Sequence, residues 1–293
     1  LIAAFSMTAS AADVKFSGLY YVAGAYESND ALADTNNTNS RAFMFQRVRL
    51  QPVFQIAEGL TFTARVDALE KQWGNTNWKF ATPGGYDQTS LRPQTPGVGN
   101  PLIQESFEFE RGYVSFKTAI GSFDVGYQNA GDWGTDFQNS SSTRPRILYI
   151  TAVGPVTLLA IYEKVFEADT SAVPGYVGKA DADATNYAIA GIYGFPGGNA
   201  GFLWYYITNA ATRVSAPPIP DTGSRTKLHY IAPYVKATFG PVYVESEVLY
   251  TFGKQKEFDA AGTDVDRSGW AAYLMAKTNL GPATIGAQVG WSA

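Results

Sequence analysis

The chain has 293 residues, of which 16% are charged and 14% aromatic, with 29 Gly, no Cys and a formal net charge of −4. Strand formers outweigh helix formers, which points to an all-β chain, and the small charge with no basic stretch argues against a nucleic-acid partner. Nowhere past the N-terminus do about 18 apolar residues run together, which excludes spanning helices but not a membrane barrel, whose strands alternate lipid-facing and water-facing side chains.

In chain order, residues 1–11 are expected to be a residual signal peptide, leaving 12–293 as a β-barrel. An apolar stretch there is followed by small residues, and Ala9 and Ala11 are placed for an A-x-A cleavage. From Asp13 onward, alternating segments of about ten residues recur, the length at which a tilted strand crosses a membrane. Without Cys no disulfide holds them, so stability falls to the hydrogen-bonded sheet.

The connections fall into two classes that alternate. Tight turns are expected at Glu58-Gly59, Ile120-Gly121-Ser122, Gly154-Pro155, Pro196-Gly197-Gly198, Gly240-Pro241 and Gly281-Pro282. Long polar connections are expected from Ser28 to Ser40, Trp73 to Gln104, Ala130 to Thr143, Ala168 to Ala182, Asn209 to Arg225 and Lys254 to Arg267. Short turns on one rim and long loops on the other are the signature of an antiparallel up-and-down transmembrane barrel. Twelve strands and the start of a thirteenth at Ala283 are read here. Closure with an even count leads us to expect a barrel of about 14 to 16 strands, incomplete at the C-terminus in this sequence.

The second strand, Arg41 to Ile56, separates Val48, Leu50, Pro52, Phe54 and Ile56 from Arg47, Arg49, Gln51 and Gln55. The third separates Leu60, Phe62, Ala64 and Val66 from Thr61, Thr63, Arg65 and Asp67. An arginine on the lipid side costs about 2–4 kcal/mol at the midplane, so the apolar sets should face lipid. Late in the chain, Glu245 and Glu247 take the water side, within reach of Lys236 or Lys277, with polar lining as their plainer role. Pro233 falls on an apolar face although it removes a ladder donor. Strands six to nine carry apolar residues on both faces (Leu148, Ile150, Leu158, Leu159, Ala188, Ala190, Ile192), which fits either a wall against a neighbouring subunit or a phasing error. Trp73, Trp78, Trp133, Trp204, Trp270 and Trp291 suit interfacial girdles, with carbohydrate stacking as the alternative.

The stretches DVKFSGLYYVAGAYE from Asp13, RVRLQPVFQIAEGLTFTARVDALEKQWG from Arg47 and RGYVSFKTAIGSFDVGYQ from Arg111 resemble the Gram-negative outer-membrane porins, in particular homotrimeric porins of sulfate-reducing and related bacteria. The resemblance covers the N-terminal half in sequence and the remainder by architecture. It implies a homotrimer set among outer-membrane lipid and lipopolysaccharide, admitting small hydrophilic solutes and ions by passive diffusion, with no cofactor. It also implies a third external loop, here Ala130 to Thr143, that folds inward and sets acidic residues against an arginine cluster. Asp132 and Asp136 would then face Arg47, Arg49 and Arg65 across a transverse field. The loop lacks the PEFGG-type segment of the best-known members, so its inward fold is an open point. The plain alternative is that Arg65 and Asp67 and their neighbours pair along the wall.

Two other classes compete. An outer-membrane lipase would need His229, the only histidine, which has no G-x-S-x-G nucleophile motif beside it. A structural or adhesion barrel with a filled lumen would use the long loops as a binding surface. Asp259, Asp264 and Asp266 form an acidic loop without EF-hand spacing.

Overall fold

The computed structural model describes residues 13–28, 40–73, 107–167, 182–214, 223–259 and 262–293. The expected signal segment and the expected loop residue Trp78 lie outside them. Thirteen antiparallel strands form one sheet whose order is the order of the chain. They are β1 (Asp13–Ser28), β2 (Ser40–Ala57), β3 (Leu60–Gln72), β4 (Phe107–Thr118), β5 (Gly121–Ala130), β6 (Ser142–Val153) and β7 (Val156–Phe166), then β8 (Ala184–Phe195), β9 (Gly198–Asn209), β10 (Ser224–Phe239), β11 (Val242–Phe258), β12 (Val265–Leu280) and β13 (Ala283–Ser292). All six tight turns fall where the sequence places them. In five of them a Gly takes φ between +58° and +86°, at Gly59, Gly154, Gly197, Gly240 and Gly281, a conformation that side chains with a Cβ adopt reluctantly.

The chain divides into two compact units, residues 1–112 and 113–293. In the first, β1 is paired along its whole length with β2, from Ser40 to Gln55, and β3 pairs with β2 on its other side. Arg49 lies opposite Asp67 and Leu50 opposite Val66, so the arginine face and the apolar face are those the alternation predicts. One irregularity matters for charge. Gln46 pairs with Lys71 and Val48 with Ala68, so Leu69 and Glu70 together face Arg47. Leu69 is the extra residue of this bulge, with φ +51°. The inserted residue shifts the two-residue period by one and brings Glu70, three positions after Asp67, onto the arginine face.

In the second unit each strand from β5 to β13 pairs with the next in chain order. Register resolves the ambiguity of β6 to β9. Leu148, Ile150, Leu159, Ala188, Ala190 and Ile192 share one face, and Leu158 takes the other with Ile147, Tyr162, Tyr187 and Ile189. The apolar character on both sides is therefore not a phasing error: the first face is the inner one, on which the β5–β6 loop lies, and it is aliphatic in this sector, while the outer face is apolar as well. The outer face carries an aromatic band in which His229 stacks between Tyr206 and Phe252 at centroid distances of 4.7 and 5.0 Å. Trp270 and Trp291 meet edge to face at 4.3 Å on the same side.

One expected loop is corrected. The stretch from Lys254 to Arg267 is mostly strand, because β11 continues to Phe258 and β12 begins at Val265. A bulge at Lys254/Lys256 and a Lys254 to Asp266 ion pair of 2.9 Å hold the extended hairpin. The acidic residues read there as a loop cluster are each tied to a cation: Asp264 and Asp266 to Lys254, and Asp259 to Arg213.

The Leu69 bulge yields a test. Leu69→Gly should leave stability within about 1 kcal/mol of the parent, since Gly accepts the positive φ but is a poorer strand residue. Deleting Leu69 should remove the bulge yet leave Glu70 opposite Arg47, now two positions after Asp67, so the urea midpoint of unfolding in lipid vesicles, followed by tryptophan fluorescence, should fall less than it does for Glu70→Ala, which removes the pairing itself.

Candidate functional site

The expected arginine cluster exists, and it is built around a carboxylate of its own strand pair. Asp67, 2% exposed, accepts two hydrogen bonds from Arg49, Nε to Oδ1 at 2.7 Å and Nη2 to Oδ2 at 2.6 Å. Arg47 Nε and Arg65 Nη2 stand 3.6 and 3.7 Å from the same Oδ2, and Arg47 also bonds Glu70. Three guanidinium groups thus gather at Asp67, with Glu70 beside Arg47. The pairing along the wall foreseen for Arg65 and Asp67 is present.

The loop between β5 and β6 does fold onto the inner face of the second unit. Its base is closed by Ser140 N donating to Gly131 O at 2.9 Å, and its middle is a single 3-10 turn, Asp136–Gln138, capped by the Thr135 hydroxyl, which accepts from Phe137 N. From there alternate residues reach successive strands. Trp133 Nε1 donates to Ala232 O of β10 at 2.8 Å, and its ring packs edge-on against Tyr234. Thr135 donates twice to Glu247 Oε2 of β11, from its backbone N at 2.7 Å and its hydroxyl at 2.8 Å. Phe137 stacks on Tyr273 of β12 with centroids 5.2 Å apart and planes 10° from parallel.

The landing points form one row across the sheet, because Tyr234 pairs with Glu247, Glu247 with Tyr273 and Tyr273 with Gly290. Gly201, opposite Tyr234 on β9, completes it, and a Cβ there would stand 2.2 Å from the tyrosine ring. The loop can approach this closely because residue 134 is Gly: with φ +55°, a Cβ would lie 2.6 Å from Glu247 Oε2. The β10–β11 pairing pauses at Ala232 and Pro233 and resumes in the same register at Tyr234. The carbonyl that Trp133 engages lies at this gap, so the proline that is awkward for a ladder coincides with a loop contact.

These positions revise several expectations. Trp133 is an inward loop residue and not part of a girdle. Glu247 is more than polar lining: it is 0% exposed and anchors the loop. Glu245 lies opposite Lys236 in register, yet its carboxylate accepts from Tyr243 OH at 2.7 Å and Tyr273 OH at 3.3 Å. Lys277 lies over the Tyr243 ring, 4.9 Å from its centroid. Asp132 and Asp136 are exposed on the loop, where Asp132 accepts from Asn129 and Asp136 from Asn139.

Sequence reasoning missed a second charged cluster. Glu163 of β7, 2% exposed, pairs with Arg144 and Arg146 of β6 at 3.2 Å each. Tyr205 OH donates to its Oε2 at 2.6 Å and Asn186 Nδ2 at 3.2 Å. The signal was present, since Arg144 and Arg146 are two apart and must share a face. Their opposition to Glu163, 17 residues on from Arg146, depends on register.

A scan of protein-family models finds no match, and neither does a search of curated protein sequences. Solved structures do match. The anion-selective porin from Comamonas acidovorans is 14% identical, over 96% of this chain and 79% of that one, with a TM-score of 0.52. This is the porin fold. Another porin structure is 17% identical over 95% of this chain and 83% of its own, with a TM-score of 0.47. The trimer form of the outer-membrane protein OmpT of Vibrio cholerae is 13% identical, covering 97% of this chain and 89% of that one at a TM-score of 0.44.

The anchor is open to mutation. Glu247→Ala leaves the Thr135 N–H without its acceptor in a buried setting, a loss of about 1–3 kcal/mol. Gly134→Ala adds a Cβ where φ is positive and the carboxylate is in the way. Both should release the loop and speed protease cleavage within residues 131–141 of the folded protein, whereas Glu247→Gln, which keeps an acceptor, should stay closer to the parent.

Proposed function

We propose that this chain forms a water-filled channel in the outer membrane through which small hydrophilic solutes and ions diffuse passively. The observation that carries the reading is the β5–β6 loop, held by Trp133, Thr135 and Phe137 on the inner face of β10 to β12. A loop fixed in this way narrows a lumen at a set height without filling it. The charges around it suit an aqueous path, since Arg144, Arg146, Glu163, Glu245 and Glu247 all take the inner face and would be costly against lipid.

The wall arginines Arg47, Arg49 and Arg65 around Asp67 are proposed as lumen charges that act on passing ions. Asp132 and Asp136 are proposed as charges on the constricting loop. Assembly as a homotrimer, and contact with lipid and lipopolysaccharide, belong to the same reading.

Planar-bilayer recording tests it. Purified protein should give discrete steps on the nanosiemens scale, and Glu247→Ala should make those steps larger or noisier by freeing the loop. Silence from folded protein would favour a plugged structural barrel instead. Orientation to lipid is tested separately: Leu50→Arg should destabilise the inserted protein by about 2–4 kcal/mol, and Gln51→Arg, one residue along β2, by far less.

A further inference from the structure

The docked loop does more than cross the inner face. Between it and the arc of wall from β6 to β11 lies a chamber of about 320 Å³, within the range of small-molecule sites. Leu159, Ile161, Leu203, Ile207 and Leu249 make much of its lining aliphatic, while Arg144, Arg146 and Tyr205 gather at Glu163 as its polar group. A channel whose sole task is to pass hydrated ions gains nothing from an aliphatic wall.

The polar group is unbalanced in a particular sense. Two guanidinium groups share one carboxylate, which leaves one positive charge, and each arginine is joined to Glu163 through a single Nη1. Arg146 Nε is buried and has no hydrogen-bond partner, so the group holds more donors than acceptors. Two other acids line the chamber: Glu247 is fully buried, with Oε2 held by Thr135 and Oε1 without a partner, and Asp132 is exposed on the loop and accepts from Asn129; neither is paired with Arg144 or Arg146, so the positive excess is local to the Glu163 group. A planar carboxylate matches a guanidinium fork in shape and charge.

We infer that this chamber binds small amphipathic monocarboxylates, with the carboxylate at Arg144 and Arg146 and an apolar body against Leu159, Leu203 and Leu249. The biological meaning of the inference rests on the channel reading above, but the binding itself does not. The bound acid would supply acceptors to donors that Glu163 alone leaves in excess, and its apolar part would leave water for the aliphatic wall. A neutral or cationic solute of the same shape has no such partner, so the chamber discriminates by head group and retains by tail.

The probe is 3-phenylpropanoate, compared with 3-phenylpropanol and 3-phenylpropylamine, added to single channels in planar bilayers. The acid should interrupt the current in resolved events at concentrations at least about tenfold below those needed for the alcohol or amine. Arg146→Gln should shorten the events about tenfold by weakening the charged end. Leu203→Asn, which leaves that end intact, should shorten them too, and gel mobility before and after heating reports whether each variant has folded. Equal effects of all three probes, preference for the amine, or unchanged events in both folded variants would overturn the inference while leaving the channel intact. If no current is seen at all, equilibrium dialysis of labelled 3-phenylpropanoate against amphipol-held protein decides the matter. Binding that Arg146→Gln weakens would then uphold the chamber although the channel reading fails, and its absence would end both.

Discussion

One buried carboxylate fixes the interior of the second unit. Glu247 takes two hydrogen bonds from Thr135 through a single oxygen, and with them it sets where the β5–β6 loop lies, how near Trp133 and Phe137 come to the wall and what space remains beside them. Hydrogen bonds to a carboxyl oxygen gain where water is excluded, because neither donor nor acceptor has another partner there. The aromatic contacts on either side, with Tyr234 and Tyr273, add area but not direction. The carboxylate gives the loop a definite landing point, and Gly134 removes the one Cβ that would block it.

Charged residues follow a common plan in the two units, each taken by itself. Each has a nearly inaccessible acid surrounded by more guanidinium than it can neutralise: Asp67 among Arg47, Arg49 and Arg65, and Glu163 between Arg144 and Arg146. The acid orients the arginines and keeps their geometry. An isolated arginine on a strand would sweep a wide arc, whereas one gripped by a carboxylate presents its remaining donors in a fixed direction.

Much of this was legible in the sequence. Strand alternation, all six turns and the apolar and charged faces of β2 and β3 follow from local rules, because a two-residue period and a Gly or Pro at a turn need no distant partner. The inward fold of the loop was implied by the resemblance but by no local rule: it depends on Thr135 meeting a glutamate 112 residues away. Glu247 read as lining for the same reason, and Trp133 as an interfacial aromatic, since an indole suits a membrane boundary and a packed interior equally well. The aliphatic inner sector of β6 to β9 contradicted the rule that an inner face is polar, and that conflict was the sequence's one hint of a chamber. The Leu69 bulge left no mark in residue type, so the arrival of Glu70 beside Arg47 could not be read in advance.

The row of Gly201, Tyr234, Glu247, Tyr273 and Gly290 has an evolutionary corollary. Every strand offers an equivalent set two residues up or down, about 6.6–6.8 Å away, with the same side chains pointing the same way. Moving these five identities together by one such step would shift the landing place of the β5–β6 loop along the strands without altering a single strand pairing. Where the loop settles is thus written in a belt of five side chains and not in the ladder beneath it, so the belt is free to slide over evolutionary time while the surrounding sheet stays as inherited.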